Sequence, residues 1–131
     1  MNKAIIHSDG GARGNPGPAG IGVVIEIEGK KKMFKQYIGE ATNNQAEYKA
    51  LLLGLEKAKE IGVKEVECLL DSELVVKQLK REYKVRDKEL ALLFIKVYNL
   101  AQTFEKITFK HIYREDNKEA DKLVNEAIDN K

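Results

Sequence analysis

Polar and apolar positions alternate from Lys3 to Asp9, with Ile5, His7 and Asp9 on one face and Ile6 and Ser8 on the other. That two-residue period predicts a β-strand. Ile21 to Glu28 and Met33 to Gly39 predict two more, joined across Gly29-Lys30-Lys31-Lys32 as an exposed hairpin tip. The period then changes. Glu47, Ala50, Leu51, Gly54, Leu55 and Ala58 follow i, i+3, i+4, i+7, i+8, i+11, one face of a helix from about Asn44 to Ile61. Asn43 or Asn44 caps its start, and Gly62 stops it. Lys64 to Leu70 predicts the next strand, Glu73 to Lys80 a short helix, and Lys88 to Thr103 a longer one carrying Leu92, Leu93, Ile95, Val97 and Leu100. Ile107 to Tyr113 predicts a fifth strand. Asn117 then caps a last helix with Ala120, Leu123, Val124, Ala127 and Ile128 on its apolar face. The order βββαβααβα implies an antiparallel start followed by crossover units, a mixed five-stranded sheet flanked by helices in one α/β domain over residues 1–131.

Composition narrows the function classes. A chain of 131 residues with 43% hydrophobic content is long enough to bury one core. Ala4-Ile5-Ile6 is too short for a signal peptide, and no stretch approaches the length of a membrane span. The single cysteine, Cys68, excludes an intramolecular disulfide and a multi-cysteine zinc site; in Val66-Glu67-Cys68-Leu69-Leu70 it reads as a small buried hydrophobe. A soluble cytoplasmic protein is expected. Net charge is only +2 with acids and bases interleaved, so electrostatics alone do not announce a nucleic-acid binder. Gly10 to Gly20 reads as a glycine-rich loop outside regular structure. It lacks the Gly-Lys-Ser/Thr ending of a P-loop and no helix follows it, which excludes nucleotide and dinucleotide cradles.

The acids change the picture. Glu47 is the one charged member of its helical stripe. It either sits in water beyond the core edge or, if buried, needs donors, a base or a metal. Asp9 and Asp71 each end a predicted strand, before Gly10 and Ser72, at the sheet edge where sites assemble; each alone reads equally as a turn former or cap. Asp121 flanks the apolar face of the last helix. Four carboxylates that converge cannot all stay ionised without cations. An all-oxygen set without clustered His suits Mg²⁺ or Mn²⁺ better than zinc. His7 reads as a packed strand residue.

Four motifs stand in order: Ser8-Asp9-Gly10-Gly11 with Gly14-Asn15-Pro16-Gly17; Thr42-Asn43-Asn44-Gln45-Ala46-Glu47; Leu70-Asp71-Ser72; and Arg114-Glu115-Asp116-Asn117-Lys118-Glu119-Ala120-Asp121. Together, over nearly the whole chain, they resemble type 1 ribonuclease H in a form lacking the basic protrusion, since Lys80 to Lys88 is short. The resemblance implies the ribonuclease H-like fold and an endonuclease that hydrolyses the RNA strand of RNA–DNA hybrids, leaving 5′-phosphate and 3′-hydroxyl ends. It implies two Mg²⁺ ions, with Mn²⁺ as substitute, bridged by Asp9 and held also by Glu47, Asp71 and Asp121. It assigns groove reading to Asn15, Asn43, Asn44 and the backbone of Gly10 and Gly11, and a DNA phosphate to Thr42; capping alone is the plainer role for Asn43 and Asn44. Counting back from Asp121, His111 takes the place of a residue that helps product leave; Arg114, at the strand exit, is the preferred candidate. Glu40 departs from the basic residue that would suit the phosphate near Thr42. Two alternatives stay open: a broader nuclease that also cuts double-stranded RNA, and a non-catalytic nucleic-acid-binding module, against which the presence of all four acids argues. No membrane and no obligatory protein partner are implied.

Overall fold

The alternating segments form β1 (Lys3–Ala12), β2 (Gly17–Ile27), β3 (Lys30–Ala41), β4 (Glu65–Leu70) and β5 (Lys106–His111) in a computed structural model that describes residues 2–131. They make one sheet in the order β3-β2-β1-β4-β5, with β1/β2 and β2/β3 antiparallel and β1/β4 and β4/β5 parallel. The helices are α1 (Asn43–Ile61), α2 (Glu73–Leu79), α3 (Lys88–Ala101) and α4 (Lys118–Asp129). The mixed sheet and the element order are those expected from the sequence. Among the described residues no helix is long and apolar enough to cross a membrane.

The stripe on α1 is the spine of the core. Tyr48, Leu51, Leu55 and Ala58 are buried with Ile6, Val23 and Ile25 of the sheet and Val97 of α3. Gly62 ends the helix in the left-handed region at φ 96°, where a residue without Cβ is unstrained. Cys68 is fully buried in β4, as a small hydrophobe. On α3 the expectation fails in part. Leu90 and Val97 face inward, but Leu92 and Ile95 are 64% and 52% exposed, so the run of apolar residues overstated the buried stripe.

The other differences lie at element ends. Gly10-Gly11-Ala12 and Gly17 to Gly20 are not loop: Gly10, Gly11 and Ala12 pair with Ile21, Gly20 and Ala19 across β1 and β2, and Gly17 and Pro18 with Ala41 and Glu40 of β3. Glycine serves close approach there, since a Cβ on Gly10 would stand 2.2 Å from the Ala46 backbone. The hairpin tip is Glu28-Gly29, with φ 52° and 79°, a two-residue turn of the type that suits strand twist. Lys30, Lys31 and Lys32 therefore belong to β3. The cap of α1 is Thr42, not Asn43 or Asn44: its Oγ1 accepts from the Gln45 N–H at 3.1 Å, while Gln45 Oε1 accepts from the Thr42 N–H at 2.9 Å. Asn117 precedes α4 as expected, yet its side chain makes no capping bond. β5 ends at His111, and Arg114–Asp116 form a 3₁₀ turn before α4.

Candidate active site

Asp9 is inside β1, not at its end, because β1 runs on beside β2, where Asp9 faces Gly22. What ends is its other neighbour. The last β1/β4 pair is Ser8 with Leu70, so the chain leaves the sheet at Asp71 and opens a gap beside Asp9. Glu47 reaches that gap from α1. The bare Gly10 lets the helix backbone come close, and Glu47 Oε1 accepts the Gly10 N–H at 2.6 Å. One carboxylate oxygen each from Asp9, Glu47 and Asp71 lies within 4.8 Å of the others. Glu47 is not beyond the core edge: it is 6% exposed, and Asp9 8%.

Such crowding is unfavourable for three negative charges in a low dielectric. Burial, then Asp71, then Asp121 push the Asp9 carboxyl up to about 7 from the ordinary 3.8. Burial, followed by the charges of Asp9 and Asp71, drives Glu47 well above the usual carboxylate range. Among the described residues no lysine or arginine is within ion-pair distance of these three. Asp121 stands outside the set of three: half-exposed on the first turn of α4, its Oδ1 is 3.7 Å from an Arg114 guanidinium nitrogen. It still lines the same cleft, of about 470 Å³, with Asp9, Glu47, Asp71 and Arg114.

Gly10, Gly11, Asn43 and Asn44 also line the cleft; Asn15, Thr42 and His111 do not. The Asn15 side chain is spent locally, its Oδ1 accepting the Asn43 N–H at 3.0 Å, while Asn43 Oδ1 accepts the Ala12 N–H at 2.9 Å. Those two bonds lock the β1–β2 turn onto the start of α1. Thr42 is occupied by capping. His111 closes β5, its ring edge-on to Tyr113 at 5.9 Å, whereas Arg114 is 81% exposed at the cleft. Sequence reasoning missed Asn117. Its Nδ2 donates to the Ser8 carbonyl at 3.0 Å and to Asp71 Oδ2 at 3.2 Å. An asparagine before a helix looks like a cap, and nothing in its position along the chain signals otherwise.

Comparison with known proteins agrees with this geometry. Residues 7–127 match the family model described as reverse transcriptase-like. A bifunctional protein of Mycobacterium tuberculosis is 42% identical over 130 residues, covering 97% of this chain but 36% of its own length. The chain thus spans about a third of the first curated relatives it matches. Among solved structures, RNase H1 of the halophilic archaeon Halobacterium salinarum superposes with a TM-score of 0.95 at 38% identity, covering 98% of this chain and 99% of that one. LC11-RNase H1, isolated from compost and solved in complex with an RNA/DNA hybrid, gives a TM-score of 0.92 at 48% identity, with 97% of each chain covered.

Proposed function

The chain belongs to the reverse transcriptase-like family, among its ribonuclease H members, and on that premise we propose that it hydrolyses the RNA strand of RNA–DNA hybrids using divalent metal ions. The observation that carries the reading is the meeting of Asp9, Glu47 and Asp71 oxygens within 4.8 Å, mostly buried and, among the described residues, with no lysine or arginine in ion-pair distance. A hard divalent cation fits that donor set, because oxygen ligands and unneutralised charge are what it requires. Asp9, Glu47 and Asp71, with Asp121 beside them, would hold two Mg²⁺ ions, or Mn²⁺ in their place. Bound there, the ions supply an activated water and charge stabilisation on the leaving 3′-oxygen.

The chain's own groups do the rest. The Gly10 N–H fixes Glu47, so that the acids are in place before substrate arrives. Asn43 and Asn44, with the Gly10–Gly11 backbone, present polar groups along the cleft to a wide minor groove, where 2′-hydroxyls mark the RNA strand. Asn15 and Thr42 act one step back, by holding the β1–β2 turn and the α1 N-terminus in register. Arg114, exposed and 3.7 Å from Asp121, is free to swing toward a phosphate and ease release of the cut end. A cytoplasmic location is part of the proposal.

The test is incubation of labelled RNA–DNA hybrid, double-stranded RNA and single-stranded RNA with Mg²⁺, with Mn²⁺ and with chelator. Cleavage of the hybrid's RNA strand to 5′-phosphate ends, abolished by chelator and lowered at least about a thousandfold by Asp9→Asn, is expected. An intact hybrid under both metals, or undiminished cutting by Asp9→Asn, overturns the reading. Cutting of double-stranded RNA would widen the substrate class.

A further inference from the structure

Asn117 is the residue that the fold treats unlike its neighbours. It is 1% exposed and sits where a helix cap belongs, but its side chain ignores the helix. Instead Nδ2 gives one hydrogen to the Ser8 carbonyl at 3.0 Å and one to Asp71 Oδ2 at 3.2 Å. Its own carbonyl accepts the Asp121 N–H at 3.1 Å. One residue thereby ties together the residue before Asp9, the carboxylate of Asp71 and the backbone of Asp121. The arrangement is not the most stable on offer. Oδ1 is buried with no partner, and a buried acceptor left unpaired is penalised, as is a forgone cap.

We infer that Asn117 is a positioning residue, which fixes the carboxylate of Asp71 and so sets how tightly the acidic cluster takes a divalent cation. The inference rests on the metal-dependent reading above. Its physical content is rotational. An aspartate carboxyl turns about a broad, soft torsion, and Asp71 is only half-buried, so its own packing does not hold it. A donor on Oδ2 selects one orientation and leaves Oδ1 for the ion. Partners of this kind, one bond behind a metal ligand, typically change metal affinity or activity 10- to 100-fold when removed, a range of about that size. The Ser8 bond holds Asn117 in turn, so that Asp71 is referenced to the strand that bears Asp9.

The experiment is titration of Mn²⁺ alone into wild type, Asn117→Ala and Val97→Ala by calorimetry, with hybrid cleavage kinetics run in parallel. Val97 is fully buried on α3 and does not line the cleft, so its truncation lowers stability without touching the acids. Asn117→Ala should raise the Mn²⁺ dissociation constant about tenfold or more and lower kcat, with KM for hybrid within about twofold. Val97→Ala should melt earlier yet bind Mn²⁺ like wild type. Should Asn117→Ala fail to fold, Asn117→Ser leaves a smaller gap, stops short of Asp71 and is judged by the same two readouts. Unchanged Mn²⁺ affinity in the Asn117 variant, or an equal loss in Val97→Ala, overturns the inference. Wild-type cleavage is read separately, so a chain that cuts no hybrid sinks the function and not the role of Asn117 in binding the ion.

Discussion

On one face of the sheet α1 lays Tyr48, Leu51 and Leu55 against Ile6, Val23 and Ile25, all buried. On the other face α4 settles over Gly20 and Gly22 of β2, where the sheet supplies no side chain at all. Around its edge exposed ion pairs reach from the strands: Lys31 to Glu119 at 2.7 Å and Lys35 to Glu126 at 3.2 Å. On the first face apolar side chains of helix and sheet interdigitate; on the second the buried Leu123, Val124 and Ile128 of α4 lie over bare glycine backbone, with charges at the rim. The difference matters because each face delivers acids to the cleft, Glu47 from α1 and Asp121 from α4. Side-chain atoms can move aside by small torsional shifts, whereas backbone against backbone cannot.

One substitution made on both faces sharpens that contrast most. A Cβ on Gly22 would lie 2.5 Å from the Ala120 carbonyl oxygen and 2.7 Å from Leu123 Cβ, so Ala there has to push α4 outward. A Cβ on Gly54 of α1 would meet Ile6 Cγ2 at 3.0 Å and Val23 Cγ1 at 3.3 Å, side-chain atoms that can give. Ala also favours the helix over Gly by about 1 kcal/mol, which offsets the crowding at Gly54. Gly22→Ala should therefore cost about 2–3 kcal/mol, by overpacking, and Gly54→Ala less than about 1 kcal/mol either way. Denaturant unfolding measures both. Equal losses would mean that the faces do not differ in compliance.

The same asymmetry explains what was legible in the sequence. The α1 face was, because Leu51, Leu55 and Ala58 are written at helical spacing and Glu47 interrupts them as a charge. Glu47, Asp9 and Asp71 came together as the order of strands and helices implied. The α4 face was not, because its information lies in side chains that are missing. Gly20 was read as loop and Gly22, inside a predicted strand, carried no signal, when their role is to let Val124 and Ala120 approach. Capping was misread for a similar reason: Thr42, Asn43 and Asn44 can all cap, and only the reciprocal bonds with Gln45 choose Thr42. Asn117 was invisible because its partners are about a hundred residues away at Ser8 and on another element at Asp71, contacts that no local pattern encodes.

Where the faces meet, the acids make a contrast of another kind: a region that opposes folding rather than driving it. In the metal-free protein Asp9 titrates at about 7 against an ordinary 3.8, with Glu47 shifted the same way. Between those pH values the folded chain holds protons that the unfolded chain has released. As far as these groups decide, stability is therefore full below about pH 4 and declines as pH rises, the Asp9 part of the loss being complete above about pH 7. For Asp9 the full loss is on the order of 4 kcal/mol. Melting in chelator at pH 5 and pH 8 should show the fall. Asp9→Asn, which cannot ionise, should flatten it and melt higher than wild type at pH 8, and millimolar Mg²⁺ should recover most of the loss in wild type alone. A metal-free wild type as stable at pH 8 as at pH 5, with Asp9→Asn melting no higher, would remove the acids from the energetics of the fold.

The rim of the α4 face offers the smallest effect. Lys31 and Glu119 are 2.7 Å apart, but their side chains are 42% and 51% exposed. Water already solvates both, and ordering two long side chains consumes most of what Coulomb attraction supplies. Lys31→Ala should lower the melting temperature by no more than about 3 °C, and 1 M salt should reduce the difference from wild type. A larger, salt-insensitive loss would mean that Lys31 acts through its aliphatic stem, covering His7 and the edge of α4 as apolar area. The rim of the second face would then hold by apolar cover, as the first face does, and not by charge.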